Sequence, residues 1–312
     1  MEYTDQQIKR DSGEKMPPRK TTRLLPVALL LFLLMQAWLI VGFGALEWLD
    51  GLGPLHCKYV YVWDRAEKVA IYDRKSDVRV SPASLTKMIT VYTALDMGID
   101  KDAVVQVDRA VYDDMFVKNA SMAGFAPGEA LHARDLLYGA LLASGGEATG
   151  SLAKYICNDE SAFCAEMNRR IADFGIRNTH FTNVGGFDEA GQYSTAKDMA
   201  MFLDKALVNG DFRTIFTKKR YLSFSTADHP KGVAFESTVL GKDRRWKKEC
   251  GTLLGGKSGT TIDAGECWAS LCEKGGKEYI VVVMGAPLKD VSNKTDRPLE
   301  DTMKIMASID LK

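Results

Sequence analysis

The chain has 312 residues, 41 Lys and Arg balanced by 41 Asp and Glu, and 46% hydrophobic residues. That composition excludes a disordered chain, and a neutral protein lacks the basic surface that non-specific nucleic-acid binding needs to displace counterions. No nucleic-acid partner is expected.

The charge is unevenly spread. Residues 24–46, LLPVALLLFLLMQAWLIVGFGAL, run for 23 positions without a charged side chain, and about 20 helical residues suffice to cross the hydrocarbon core. The run predicts an uncleaved transmembrane signal anchor, since the apolar region of a cleaved signal peptide is shorter, about 7 to 15 residues. Upstream, Lys15, Arg19, Lys20 and Arg23 stand without an acid among them, whereas Glu47 and Asp50 follow the run. The positive-inside rule then makes residues 1–23 a cytoplasmic tail and places all that follows outside, in a single-pass protein of the cell membrane. Residues 47–56, with Gly51, Gly53 and Pro54, read as a linker, and 57–312 as one exported domain. Without residues 1–46, 35 basic residues face 37 acidic ones, so the exported part is mildly acidic.

Within that domain, KYVYVWDRAEKVAIYD alternates like two strands about a polar turn. SLTKMITVYTALDMGI has apolar residues at helical spacing. Residues 134–156 read as two helices broken at Ser144-Gly145-Gly146, and a further helix runs from about Glu160 to Phe174. A Gly- and Asn-rich loop follows at 183–191, and then STAKDMAMFLDKAL with Ser194 as N-cap. LLGGKSGTT and AGECWASLCEK read as neighbouring strands, KEYIVVVMGA as a third, and RPLEDTMKIMASI as a closing helix. Strands at both ends with helices between predict a mixed α/β domain whose terminal strands share one antiparallel sheet.

All six cysteines lie beyond the apolar run, where disulfides are allowed. Cys157 and Cys164 are close enough in sequence to staple a local loop, and Cys250 with Cys272 across a hairpin is a further option. Cys267 and Cys272, five apart on one strand, point to opposite faces and should not bond. No C-x-x-C pair occurs and His56, His132, His180 and His229 are far apart, so neither a metal nor a cofactor is expected.

A serine three residues before a lysine on a helix puts both side chains on one face, where a neutral amine can take the hydroxyl proton. Four such pairs occur: Ser12 with Lys15, Ser84 with Lys87, Ser151 with Lys154, and Ser194 with Lys197. Only Ser84, after Ser81-Pro82-Ala83, opens a strongly apolar helix, whose N-terminal N–H groups favour an oxyanion. Plain N-capping is the competing role there. Two later segments add to it: Ser144 in its glycine turn, and Lys257-Ser258-Gly259-Thr260, a cation, hydroxyls and a glycine on a predicted edge strand.

In the order S-x-x-K, S-x-x, K-S-G, with Ser84, Ser144 and Lys257 spaced 60 and then 113 residues apart, these segments resemble the three motifs of penicillin-recognising serine enzymes. SPASLTKMITVYTAL, RDLLYGALLASGGEA, FTNVGGFDEAGQYSTAKDMA, GGKSGTTIDAGECWASL and DRPLEDTMKIM are similar, in this order, to landmarks of the serine-type D-Ala-D-Ala carboxypeptidases, the low-molecular-mass penicillin-binding proteins. The resemblance covers roughly residues 55 to 310. It implies a β-lactamase/transpeptidase-like fold, an antiparallel sheet with flanking helices plus a helical subdomain. It also implies peptidoglycan stem peptides ending in D-Ala-D-Ala as substrates and β-lactams as covalent inhibitors.

Under the resemblance Ser84 is the acylated nucleophile, Lys87 its base and Ser144 the proton relay toward the leaving group. Lys257 would hold the site's electrostatics. Ser258, Gly259 and Thr260 would line the substrate, with the N–H groups of Ser84 and Thr260 as oxyanion hole and Arg297 on the substrate carboxylate. Burial beside Lys257 would lower the pKa of Lys87. The chain departs from the family at Gly146, where an asparagine is usual, at Val184, where many relatives have histidine, and mildly at Ser258. With only about 50 residues after Lys257, the C-terminal β-rich domain and amphipathic helix of many such enzymes are not expected, and the N-terminal helix is expected to take over anchoring. Against a β-lactamase stands the lack of an E-x-x-x-N after the second motif. D,D-endopeptidase action and a non-catalytic β-lactam or peptidoglycan sensor are the remaining alternatives.

Overall fold

The computed structural model describes residues 52–309. The predicted span at 24–46, the tail before it and the Ser12–Lys15 pair lie outside them, and among the described residues no helix is long and apolar enough to cross a membrane. From Pro54 onward the chain forms one compact unit. The N–H groups of His56 and Cys57 donate to Asp301 at 3.0 and 2.6 Å, so the end of the predicted linker is already tied to the closing helix.

The first alternating segment forms β1 (Tyr59–Asp64) and β2 (Val69–Arg74). The Asp64 carboxylate accepts from the N–H groups of Ala66 and Glu67 and so closes their turn. A single 3₁₀ turn, Ala83–Leu85, then leads into α1 (Thr86–Asp96), of which nine of eleven residues are buried. Next come β3 (Val104–Gln106), α2 (Arg109–Val117) and β4 (Ala130–His132). The predicted helix pair is α3 (Ala133–Leu142) and α4 (Gly146–Cys157), broken where expected, and α5 (Glu160–Asp173) follows. After the glycine loop come α6 (Ala196–Ala206) and α7 (Gly210–Phe216), then β5 (Arg220–Leu222) and β6 (Ala234–Glu236). The chain closes with β7 (Thr252–Thr261), β8 (Gly265–Lys274), β9 (Lys277–Ala286) and α8 (Arg297–Ser308).

The main sheet runs β2-β1-β9-β8-β7, antiparallel throughout. Its first and last strands in sequence order do share one sheet. β9 is central, and its apolar run has a physical reason: both faces are covered. Ile280, Val282 and Met284 belong to the main core with the helices, so alternation turns Val281 and Val283 to the opposite face, against which α8 packs. This leaves β7 as an edge strand with its outer rim beside the Ala83–Leu85 turn.

Three details differ from expectation. The N-cap of α6 is Thr195, whose hydroxyl accepts from the Asp198 N–H at 3.0 Å, while Ser194 bridges to Val80. Helix α2 escapes the periodicity test because Met115 is its sole buried residue and Phe116 and Val117 are exposed; Asp108 starts it by accepting from Val111 N–H. Finally, all six cysteines are free thiols, so neither the Cys157–Cys164 staple nor a Cys250–Cys272 bridge is present. The corner between α4 and α5 is closed by its own caps instead. Asn158 takes the left-handed conformation and donates to Lys154, Asp159 accepts from Ala162, and Cys164 is turned into the core.

Candidate active site

Ser84 sits in the middle of the 3₁₀ turn. Leu85, Met88 and Ile89 are fully buried and fasten the turn and the start of α1 to the core. The residue before the serine, Ala83, is held at φ +48°, a left-handed conformation that costs an L-residue of order 1 kcal/mol or more. Ser84 caps neither the turn nor the helix, because the N-cap positions fall to Pro82 and Leu85. Its hydroxyl instead accepts from the Lys87 ammonium at 3.0 Å, one helical turn on. Of the two contacts expected for Ser84, the structure has the one with Lys87 and not the cap.

Ser144 stands between α3 and α4, also in the left-handed region at φ +62°. The turn is pinned on both sides, Gly145 N–H to Gly139 O at 3.0 Å and Gly146 N–H to Ser121 O at 2.7 Å. Its hydroxyl accepts from Lys257 Nζ at 2.9 Å, across 113 residues of sequence, and Lys257 also donates to the carbonyl of Ser258 at 2.6 Å. The side chain of Ser258 faces Thr238, to which it donates at 2.8 Å. The glycine of the K-S-G strand has a steric reason to be glycine: a Cβ on Gly259 would stand 2.9 Å from the backbone nitrogen of Ser84 and 3.0 Å from Ala83 Cβ. β7 can pass beside Ser84 only without a side chain there.

Lys87 and Lys257 are both buried, 2% and 0% exposed. Burial brings the Lys87 amine down from 10.5 to about 8; Glu147 pushes it back up and Lys294 pushes it further down. Lys257 is held well below the ordinary lysine value, first by burial and then by the charges of Lys87 and Lys294. The expectation that Lys257 would depress Lys87 is therefore corrected in emphasis: desolvation does most of it, and the cation that weighs on both is Lys294.

Ser84, Lys87 and Thr260 open into a cavity of about 600 Å³, whose wall also includes Ser121, Gly185, Phe187, Asp188 and Lys294. Several of these make contacts that spacing gave no sign of. The Gly185 carbonyl accepts from Lys87 Nζ at 2.8 Å and is the second partner of that amine. Gly186, at φ +84°, packs so tightly that a Cβ would fall 1.9 Å from Ala83 O. Asp188 accepts from Ser81 and Thr261 hydroxyls, each at 2.6 Å, and from Asp263 N–H, which ties the segment leading into the Ser84 turn to the β7–β8 hairpin. Arg297 is placed differently from expectation: its guanidinium donates to Pro287 O at 2.7 Å, and it is not among the residues that line the cavity.

The two other S-x-x-K pairs among the described residues have structural partners. Ser151 accepts from Asp108 N–H and Lys154 pairs with Asp108; Ser194 shares a hydrogen bond with Thr179 while Lys197 pairs with Asp77. Among the described residues no group of His, Cys, Asp and Glu is placed to hold a metal ion.

Chemically, the arrangement offers a hydroxyl beside a lysine with a lowered pKa, a second hydroxyl beside a second buried lysine, and a glycine strand along one wall. Such an arrangement suits nucleophilic acyl transfer. Comparison with known proteins agrees. Residues 55–288 match the family model described as D-alanyl-D-alanine carboxypeptidase. The chain is 30% identical over 220 residues to the D-alanyl-D-alanine carboxypeptidase DacF of Bacillus subtilis, covering 69% of this chain and 54% of that protein. It is 28% identical over 239 residues to the D-alanyl-D-alanine carboxypeptidase of Streptomyces sp. K15, covering 72% and 79%. The crystal structure of the Streptomyces K15 DD-transpeptidase superposes with a TM-score of 0.71 at 25% identity, over 82% of this chain and 97% of that one. The chain spans about half the length of most of the curated relatives it matches.

Proposed function

Because the chain belongs to the D-alanyl-D-alanine carboxypeptidase family, peptidase S11, we propose that it removes the terminal D-alanine of peptidoglycan stem peptides through an ester on Ser84. The observation that carries this reading is the paired geometry, Lys87 on Ser84 at 3.0 Å and Lys257 on Ser144 at 2.9 Å.

The neutral Lys87 amine takes the Ser84 proton as Oγ adds to the penultimate D-Ala carbonyl. The oxyanion is received by the N–H groups of Ser84 and Thr260. The C–N bond breaks as Ser144 delivers a proton to the departing amine of D-alanine and takes one in turn from protonated Lys87; water then hydrolyses the ester, its hydroxyl joining the acyl carbon and its other proton returning to Ser84. Ser258, Gly259 and Thr260 form the strand along which the peptide lies. Lys294, exposed on the cavity wall and without an ion-pair partner among the described residues, supplies the cation for the terminal carboxylate. A β-lactam enters by the same acylation and stays, which makes the protein penicillin-binding.

The decisive experiment offers a peptide ending in D-Ala-D-Ala to wild type and to Ser84→Ala. Release of D-alanine by the wild type alone is expected; no release, or release that survives the substitution, defeats the reading. Rapid turnover of a β-lactam in place of a slowly released adduct would favour a β-lactamase.

The apolar run 24–46 supports a single-pass anchor with residues 1–23 in the cytoplasm and the domain outside. Full-length protein is expected to resist carbonate extraction from membranes, and a version lacking residues 1–50 to be released with its activity intact.

A further inference from the structure

The backbone nitrogen of Ser84 is flanked by glycines from two different segments. A Cβ on Gly186, in the loop after α5, would stand 3.0 Å from it, and one on Gly259, in β7, 2.9 Å. Loop, turn and strand therefore meet at the N–H group that the proposed acyl transfer aims at the oxyanion. Such contacts limit how close the segments come, but a glycine has no side chain with which to hold them there.

Asp188 joins all three. It follows Gly186 by two residues, and its Oδ1 accepts from the Ser81 hydroxyl, three residues before Ser84, and from the Thr261 hydroxyl, next to Thr260, both at 2.6 Å. Its Oδ2 accepts from Asp263 N–H at 3.1 Å at the tip of the β7–β8 hairpin, where the Thr261 hydroxyl accepts in turn from Ala264 N–H at 3.1 Å. The loop that carries Asp188 is itself fixed, since Asn183 Oδ1 accepts from Gly186 N–H at 2.7 Å and from Phe187 N–H at 3.0 Å. Asp188 is exposed, so water competes for its oxygens and the fold gains little from these bonds. An oxyanion hole is far more demanding, because its donors must stand within a fraction of an ångström of where the charge develops.

We infer that Asp188 is a positioning residue for the oxyanion hole: by drawing Ser81 and Thr261 onto one oxygen it fixes the separation of the Ser84 and Thr260 N–H groups. This rests on the function proposed above.

The test is single-turnover acylation of Ser84 by an ester analogue of the D-Ala-D-Ala peptide and by its thionoester twin, in which sulfur replaces the scissile carbonyl oxygen. D-alanine release from the peptide itself is measured alongside. Sulfur is the weaker acceptor, so a hole set for oxygen discriminates against it. Asp188→Ala is expected to slow acylation by the oxygen ester about a hundredfold at nearly unchanged apparent affinity, and by the thionoester about tenfold or less, so that the preference for oxygen shrinks. Asp188→Asn keeps an oxygen for both hydroxyls and is expected to stay within about fivefold of wild type. Ser81→Ala and Thr261→Val each cut one arm, and the two together are expected to cost about as much as either alone.

A residue that only braced the loop would slow both esters equally. A constant oxygen-to-sulfur preference, a loss confined to apparent affinity, asparagine as damaging as alanine, or arms whose losses multiply overturns the inference. Should Asp188→Ala fail to fold, the Ser81→Ala and Thr261→Val arms decide it through the same oxygen-to-sulfur preference. Wild type that neither acylates nor releases D-alanine would strike the function itself, a distinct outcome.

Discussion

At the scale of single residues, the site depends on keeping two amines where charge is costly. Lys87 acts as a base only when neutral, so kcat/KM for D-alanine release is expected to rise through an acid limb near pH 8, the value burial leaves it. A limb at the ordinary lysine value would show that the amine is not desolvated in solution. Replacing Lys294 by alanine should raise KM for a free-carboxylate peptide about tenfold with a small change in kcat, while Arg297→Ala should change KM less than about twofold. The reverse ranking would return the carboxylate to Arg297. The sequence named Ser84, Lys87, Ser144 and Lys257 because their chemistry is local and patterned. Gly185 and Asp188 escaped, since one acts through a backbone carbonyl and the other through a loop whose partners lie 73 and 107 residues away.

At the scale of elements, the cleft is a place where backbone approaches backbone. Gly259→Ala puts a Cβ against the Ser84 nitrogen and must push β7 outward; about a hundredfold loss in kcat/KM is expected, with little change in thermal midpoint, because β7 is an edge strand. Retained activity would mean that the strand does not define the cleft. Restoring the usual asparagine by Gly146→Asn is expected to impair acylation about tenfold or more, since Met115 and Ala120 already occupy that space. An improved enzyme would contradict the packing of Met115 and Ala120 on α4. The periodic elements, α1, α3 to α6 and β7 to β9, were legible because each buries a regular stripe or face. Helix α2 was not: it buries little, and its task is to carry residues 118–121 to the cleft.

At the scale of the whole molecule, the buried lysines weaken the fold that holds them. The unfolded chain binds the Lys87 proton up to about pH 10.5, whereas the folded one releases it at about 8, so between those values the unfolded state holds more protons and stability rises with pH. Below about pH 8 both states are protonated and the full cost of burial remains. The unfolding free energy of wild type relative to Lys87→Met is therefore expected to climb by up to about 3 kcal/mol between pH 7 and 10.5 in denaturant titrations; a flat difference would refute it. Balanced totals of 41 and 41 concealed this arrangement. The sequence by itself determined the periodic elements, the shared antiparallel sheet and the motif positions Ser84, Lys87, Ser144 and Lys257, because periodicity and motif spacing are properties of short stretches. Only the tertiary structure decided that Ser84 is hydrogen-bonded to Lys87 and caps no helix, that Lys294 and not Arg297 lines the cleft, that the cysteines stay unpaired, and that Glu147 is buried. Each of those depends on which surfaces meet when distant segments pack, and desolvation, the largest influence on both lysines, exists only once they have.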